Sequence, residues 1–151
     1  MKKLVLFFSI MFVTISCKKC EPVNSFGGEI IEEAVIQILG VKLGVPILVT
    51  NNQSLTNANG SSVPARVRFP DELDFQPVDF TKYSIVGVPT TASCSSGYNR
   101  VVDFDDFNNI VRYSIDIKEC PTCDGVSTIE NWVLIPKVSS DYTVLSEVNF
   151  N

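Results

Sequence analysis

From Ile110 to Lys118 apolar and polar residues alternate without interruption. Val111, Tyr113, Ile115 and Ile117 share one face, and Arg112, Ser114, Asp116 and Lys118 share the other. A side-chain period of two belongs to an extended strand with one face on a core and one in water. The same period recurs at 63–69, where Val63, Ala65, Val67 and Phe69 oppose Pro64, Arg66 and Arg68, and Pro64 predicts an edge position there. In 142–150, Tyr142, Val144, Val148 and Phe150 share a face. Further strands are predicted over 45–50, 83–89, 98–105 and 131–136. The continuous apolar run Trp132 to Ile135 suits a central strand covered on both faces. Turn-type segments at 90–97, 106–109, 119–125 and 137–141 separate these strands. The chain therefore reads as mainly β, a single β-sandwich or open-barrel domain.

Two segments read differently. In 29–39, Ile30, Ile31, Ala34, Val35, Ile38 and Leu39 fall on one helical face, with Glu29, Glu32, Glu33 and Gln37 beside it and Gly40 as a stop. This predicts one N-terminal helix over 29–39, against the pull of its β-branched residues toward a strand. The polar segment 51–62 reads as a loop with one helical turn.

The first twenty residues give an address. Lys2 and Lys3 precede an apolar run from Leu4 to Ser16. At about 13 residues this run is shorter than the ~20 a spanning helix needs, and it fits a secretory signal. Ser16-Cys17 resembles the lipobox of bacterial lipoproteins, and the resemblance implies that Cys17 becomes the lipidated first residue of the mature chain. The expected organisation is a signal peptide over 1–16, a lipidated tether over 17–28 and a β-rich domain over 29–151. The expected location is the bacterial cell envelope, on its periplasmic or surface side.

Loss of Lys2 and Lys3 with the signal leaves ten basic and seventeen acidic residues, a formal charge of about −7. Phosphate recognition needs clustered Lys and Arg, so nucleic acid is not an expected partner. The chain has no histidine. That removes Ser-His and Cys-His nucleophile pairs, imidazole acid/base chemistry and His metal ligands. Carboxylate-only catalysis survives as a principle, but a chain of this size leaves little room for a deep cleft. The reading is non-catalytic, with no cofactor.

With Cys17 lipidated, Cys20, Cys94, Cys120 and Cys123 remain, an even number in an oxidising compartment, and they read as two disulfides. If the strands at 83–89, 98–105 and 110–118 run up, down and up, the loops 90–97 and 119–130 share an end. A bridge from Cys94 to Cys120 or Cys123 is then expected, with Cys20 taking the remaining partner. The alternative pairs Cys120 with Cys123 and Cys20 with Cys94. Cys120-Pro121-Thr122-Cys123 also resembles the redox motif of glutaredoxins. A redox thiolate needs a lowered pKa, usually from a following helix N-terminus, whereas Asp124-Gly125 is turn chemistry. Asp103 to Asn109 resembles a calcium loop, but Asn108 and Ser114 stand where an EF-hand needs Gly and Glu. The bland reading, a hairpin loop, suffices.

Asp79-Phe80-Thr81-Lys82-Tyr83, the strand after it, Ser95-Ser96-Gly97-Tyr98, the alternating strand at 110–118 and the later Pro136-Lys137 follow one another in order. Over about residues 79–150 this order resembles the C-terminal domain of protease-complex-stabilising (PrcB-type) lipoproteins, whose middle motif is Thr-Gly-Gly-Tyr. The resemblance implies a non-catalytic, membrane-anchored protein that binds and stabilises another exported protein, with Gly97 and Tyr98 as candidate contacts. As residues alone they also read as a turn glycine and a packed aromatic.

The leading expectation is thus an anchored binding or assembly module for another envelope protein, with a surface apolar patch or an open sheet edge. The alternatives are a small-ligand or glycan binder using Trp132, Tyr98 or Tyr142 as a stacking platform, and an extracytoplasmic thiol oxidoreductase using Cys120 and Cys123. A pocket above about 300 Å³ with converging carboxylates would favour a ligand binder or an enzyme.

Overall fold

The computed structural model describes residues 23–31, 34–38, 40, 42–60, 63–120 and 125–151. The signal segment, Cys17, Cys20 and Cys123 lie outside these. The elements in chain order are β1 (Ser25–Gly28), β2 (Val35–Gln37), β3 (Ile47–Val49), α1 (Asn52–Asn59), β4 (Arg66–Arg68), β5 (Gln76–Pro77), β6 (Tyr83–Gly87), β7 (Thr90–Ser93), β8 (Gly97–Asp105), β9 (Ile110–Lys118), β10 (Val126–Ile129), β11 (Trp132–Pro136) and β12 (Thr143–Phe150). The protein is mainly β, in several sheets that do not close into a barrel.

Three layers enclose two cores. The outer sheet has the order β1-β8-β9-β12, with β1 parallel to β8, β12 parallel to β9, and β8–β9 an antiparallel hairpin. The middle sheet, β11-β6-β3, is antiparallel. The third layer is β2-β4-β5 with α1. Val111, Tyr113, Ile115 and Ile117 of β9 are all at most 1% exposed, and they form the first core with Val86, Val133 and Ile135 of the middle sheet. The intervening residues of the middle sheet, Ile85, Trp132, Leu134 and Val49, face the second core with Ile38, Leu55, Ala65 and Val67. Alternation thus sends successive residues of one sheet into different cores, which is why Trp132 to Ile135 is apolar throughout.

One long antiparallel ribbon builds the first core. Trp132 pairs with Gly87 and Ile129 with Thr90, while Cys94 N–H donates to the Gly125 carbonyl at 3.1 Å, so one register runs from β6–β11 through β7–β10. The ribbon breaks at Pro89, which has no N–H to give, and at Asn131, whose φ of 39° is left-handed. Beyond Cys94 the chain turns into the β8–β9 hairpin, which folds back over the middle sheet. Residues 90–94 and 125–129 therefore lie side by side, through ribbon pairing.

Several expectations need correction. The predicted helix over 29–39 is not formed: Val35–Gln37 is a strand antiparallel to β4. Ile30 packs in the first core and Ile31 against the second, where the chain crosses between layers, with Glu29 N–H donating to the Val102 carbonyl and Ile31 N–H to the Leu134 carbonyl, both at 2.8 Å. That crossing produced an apolar doublet that imitates a helical stripe. The helix lies instead at Asn52–Asn59. There the Asn51 side chain accepts from Ser54 N–H, Ser54 Oγ accepts from Asn51 N–H, and Gly60 ends it at φ 70°. β4 lies between β2 and β5, not at an edge, and Pro64 precedes the strand. The segment read as tether ends in β1, because Ser25–Gly28 pairs with β8.

Candidate functional site

Gly97 opens β8 opposite Lys118 and is buried. Tyr98 is 6% exposed, packs in the first core, and takes an anchor for its backbone N–H from Asn24 Oδ1 at 3.1 Å. Burial pushes its phenol pKa up, and its hydroxyl has no hydrogen-bond partner in the described structure. Tyr98 is thus a packed aromatic, and the groups around it are more informative than its own surface.

Two residues further along the same inward face stands Arg100. Its guanidinium lies 4.7 Å from the Tyr98 ring centroid and 5.7 Å from that of Phe26, within cation–π range of both. Its Nε and Nη2 donate to Asn131 Oδ1 at 3.1 and 2.7 Å. Asn131, itself buried, donates through Nδ2 to Thr90 Oγ1 at 2.7 Å and accepts from Tyr113 O–H on its backbone carbonyl at 2.7 Å. Burial lowers the pKa of Arg100 and raises that of Tyr113. Among the described residues the ion pairs are Lys82–Asp79 and Arg112–Asp105, so Arg100 has no carboxylate partner there. Beside it opens a cavity of about 220 Å³. Sequence reasoning passed over Arg100, although its signal was present: it occupies an inward position in the period-two series Tyr98, Val102, Phe104.

The cysteine corner sits where the ribbon turns into the β8–β9 hairpin. Cys120 is 1% exposed, and its carbonyl accepts from Ser93 Oγ at 3.1 Å and Ser95 Oγ at 3.3 Å. Ser93 N–H donates to Glu119 Oε1 at 3.3 Å. Cys94 is on the adjoining turn, on the surface.

The three aromatics expected as a stacking platform are not brought together. Tyr98 belongs to the first core. Trp132 belongs to the second, its indole lying where a Gly87 Cβ would be 2.0 Å from Cε3. Tyr142 sits at the hairpin tip, donating to Asp106 Oδ1 at 2.8 Å. The same tip commits Asp105 to Asn108 Nδ2 at 3.0 Å and Arg112 Nη2 at 3.0 Å, bonds that hold its carboxyl below the usual range. Among the described residues, no three His, Cys, Asp or Glu residues converge as metal ligands.

A cleft of about 570 Å³ opens between the start of α1 and the two loops flanking the middle sheet. Thr50, Asn51, Asn52, Asp79, Lys137 and Ser139 are among its walls. Lys137 Nζ donates to the Thr50 carbonyl. Asp79, its single carboxylate, accepts from Thr81 Oγ1 at 2.6 Å and Thr81 N–H at 3.0 Å, which lowers its pKa. The size is that of a ligand site, but carboxylates do not converge in it.

The remaining surface feature is β12. Among the described residues its one neighbour is β9, so its other side is an open edge eight residues long. The strand holds no Pro, Lys or Arg and one charge, Glu147. Natural sheets usually blunt such edges with those residues. Leu145 and Phe150 are 51% and 55% exposed along it, while Val144 and Val148 are half-buried against the first core.

No family model matches the chain, and neither a curated protein nor a solved structure matches it. The fold and surface together define an open, layered β domain, and its function is argued from them.

Proposed function

We propose that this is an exported lipoprotein, anchored through Cys17, that acts as a non-catalytic binding and assembly module for another envelope protein. The observation that supports it most is the unprotected edge of β12. A partner strand added there would complete the backbone hydrogen bonding of the outer sheet and cover Val144 and Val148. The anchor reading rests on the N-terminal signal features and Ser16-Cys17, and the oxidising compartment makes Cys20, Cys94, Cys120 and Cys123 structural. Burial of Cys120 disfavours the thiol oxidoreductase alternative, since attack on a disulfide needs access to the sulfur. Metabolic labelling with palmitate tests the anchor: Cys17→Ser abolishes incorporation if the reading is right, and unchanged labelling refutes it.

The 570 Å³ cleft favours one second reading, a small polar ligand held by hydroxyls, amides and the Lys137 ammonium. NMR titration with a panel of mono- and disaccharides separates the two readings. Saturable shifts centred on Asn52 and Ser139, lost in Lys137→Ala, would support the ligand binder.

A further inference from the structure

Arg100 is half-exposed, and among the described residues no carboxylate forms an ion pair with its guanidinium. Its guanidinium is held by Asn131 Oδ1, by the neighbouring Tyr113 hydroxyl and between the Phe26 and Tyr98 rings. Among the described residues these partners leave part of its five-donor fork open. The adjoining cavity of about 220 Å³ has Phe26, Val35, Arg100, Glu130, Asn131 and Trp132 among its walls. Its apolar walls and single cation match a carboxylate carried on a short aliphatic stem. We propose that this cavity is a carboxylate-binding site in which Arg100 is the anchor, Phe26 and Trp132 grip the stem, and Asn131 holds the guanidinium in place.

Glu130 lines the same cavity, its Oε2 accepting from Trp132 Nε1 at 3.2 Å. A second anion there opposes an incoming carboxylate and tunes the site toward weak, reversible occupancy. The inference stands apart from the β12 edge. The carboxylate could belong to a free small acid or to the side chain of an acidic peptide, and the shared chemistry is the anion on Arg100.

The chain has a single tryptophan, and Trp132 lines the cavity, so its emission reports occupancy directly. The exported chain without its signal is titrated with glutarate, with glutaramide, and with an N-acetylated, C-amidated pentapeptide carrying one central Glu or Gln. The expected result is a saturable emission change with the carboxylates and at least a tenfold weaker response to their amides. Glutarate alone acting identifies a small-acid site; the Glu peptide acting at lower concentration identifies a protein-derived ligand. Arg100→Gln should remove the response, and Glu130→Gln should strengthen it several-fold. Should Arg100→Gln fail to fold, the acid-against-amide comparison and Phe26→Ala, which removes a half-exposed ring, still decide. Equal responses to acid and amide, no response up to tens of millimolar, or a Glu130→Gln response weaker than the unmodified protein's would overturn the proposal.

Discussion

Asn131 concentrates more of this fold's constraint than any other single residue described. It takes the left-handed conformation that lets the ribbon bend, and its side chain and carbonyl serve Arg100, Thr90 and Tyr113. Asn tolerates positive φ better than other residues with a Cβ. Asn131→Ala is expected to cost about 2–4 kcal/mol, combining lost bonds to a charged group with backbone strain. Asn131→Gly should recover the strain and not the bonds, and urea unfolding of the two variants separates these contributions. Trp132 makes a parallel case: because its indole fills the space beside Gly87, Gly87→Val should cost about 1–3 kcal/mol or more through overpacking, and Gly87→Ala should already shift Trp132 emission. Tyr113 supplies a pH dependence. Its phenol pKa is raised by burial, so its contribution is complete below the unfolded value of about 10 and is lost as pH rises above it. Stability should therefore fall above about pH 10, and Tyr113→Phe should flatten that limb of the curve. An unchanged alkaline limb would show that Tyr113 is not responsible.

At the scale of elements, legibility followed burial. The strands at 83–87, 97–105, 110–118, 132–136 and 143–150 were readable because each has at least one face on a core, which writes a period of two or an unbroken apolar run into the sequence. β7 and β10 were taken for loop because Thr90 to Ser93 and Val126 to Ile129 bury only alternate small residues such as Ala92. In the first long apolar segment, Ala34, Ile36 and Ile38 do repeat every second residue toward the second core, but the layer-crossing pair Ile30-Ile31 masked that period. Spatial closeness of the loops carrying Cys94 and Cys120 was anticipated, although the reason is one register continuing through β7 and β10, not three strands of one sheet. For the proposed bridges, peptide mapping under non-reducing conditions should find Cys94 linked to Cys120, Cys123 or Cys20. Reduction should lower stability by about 3 kcal/mol per bridge. Four free thiols in the native protein would sink the proposal.

For the whole molecule, the site was less legible than the fold. Gly97 and Tyr98 lie on the same strand as Arg100, but Arg100 acquires its surroundings only when Phe26, from a segment read as tether, and Asn131, from a bend, are folded beside it. The 570 Å³ cleft likewise joins Asn51, Asp79 and Lys137, which no local pattern connects. The open edge could be foreseen only as a kind of feature, since which strand ends a sheet depends on topology. The edge of β12 is open to direct test in cells. A photo-crosslinking amino acid at Leu145, on the outer sheet beside the free edge, is compared in intact cells with the same group at Leu73, exposed on a distant loop. One reproducible adduct with an envelope protein is expected from Leu145, absent from Leu73 and lost when Ser146→Pro disrupts the edge. Adducts that are absent, or the same from both positions, would contradict the proposed function.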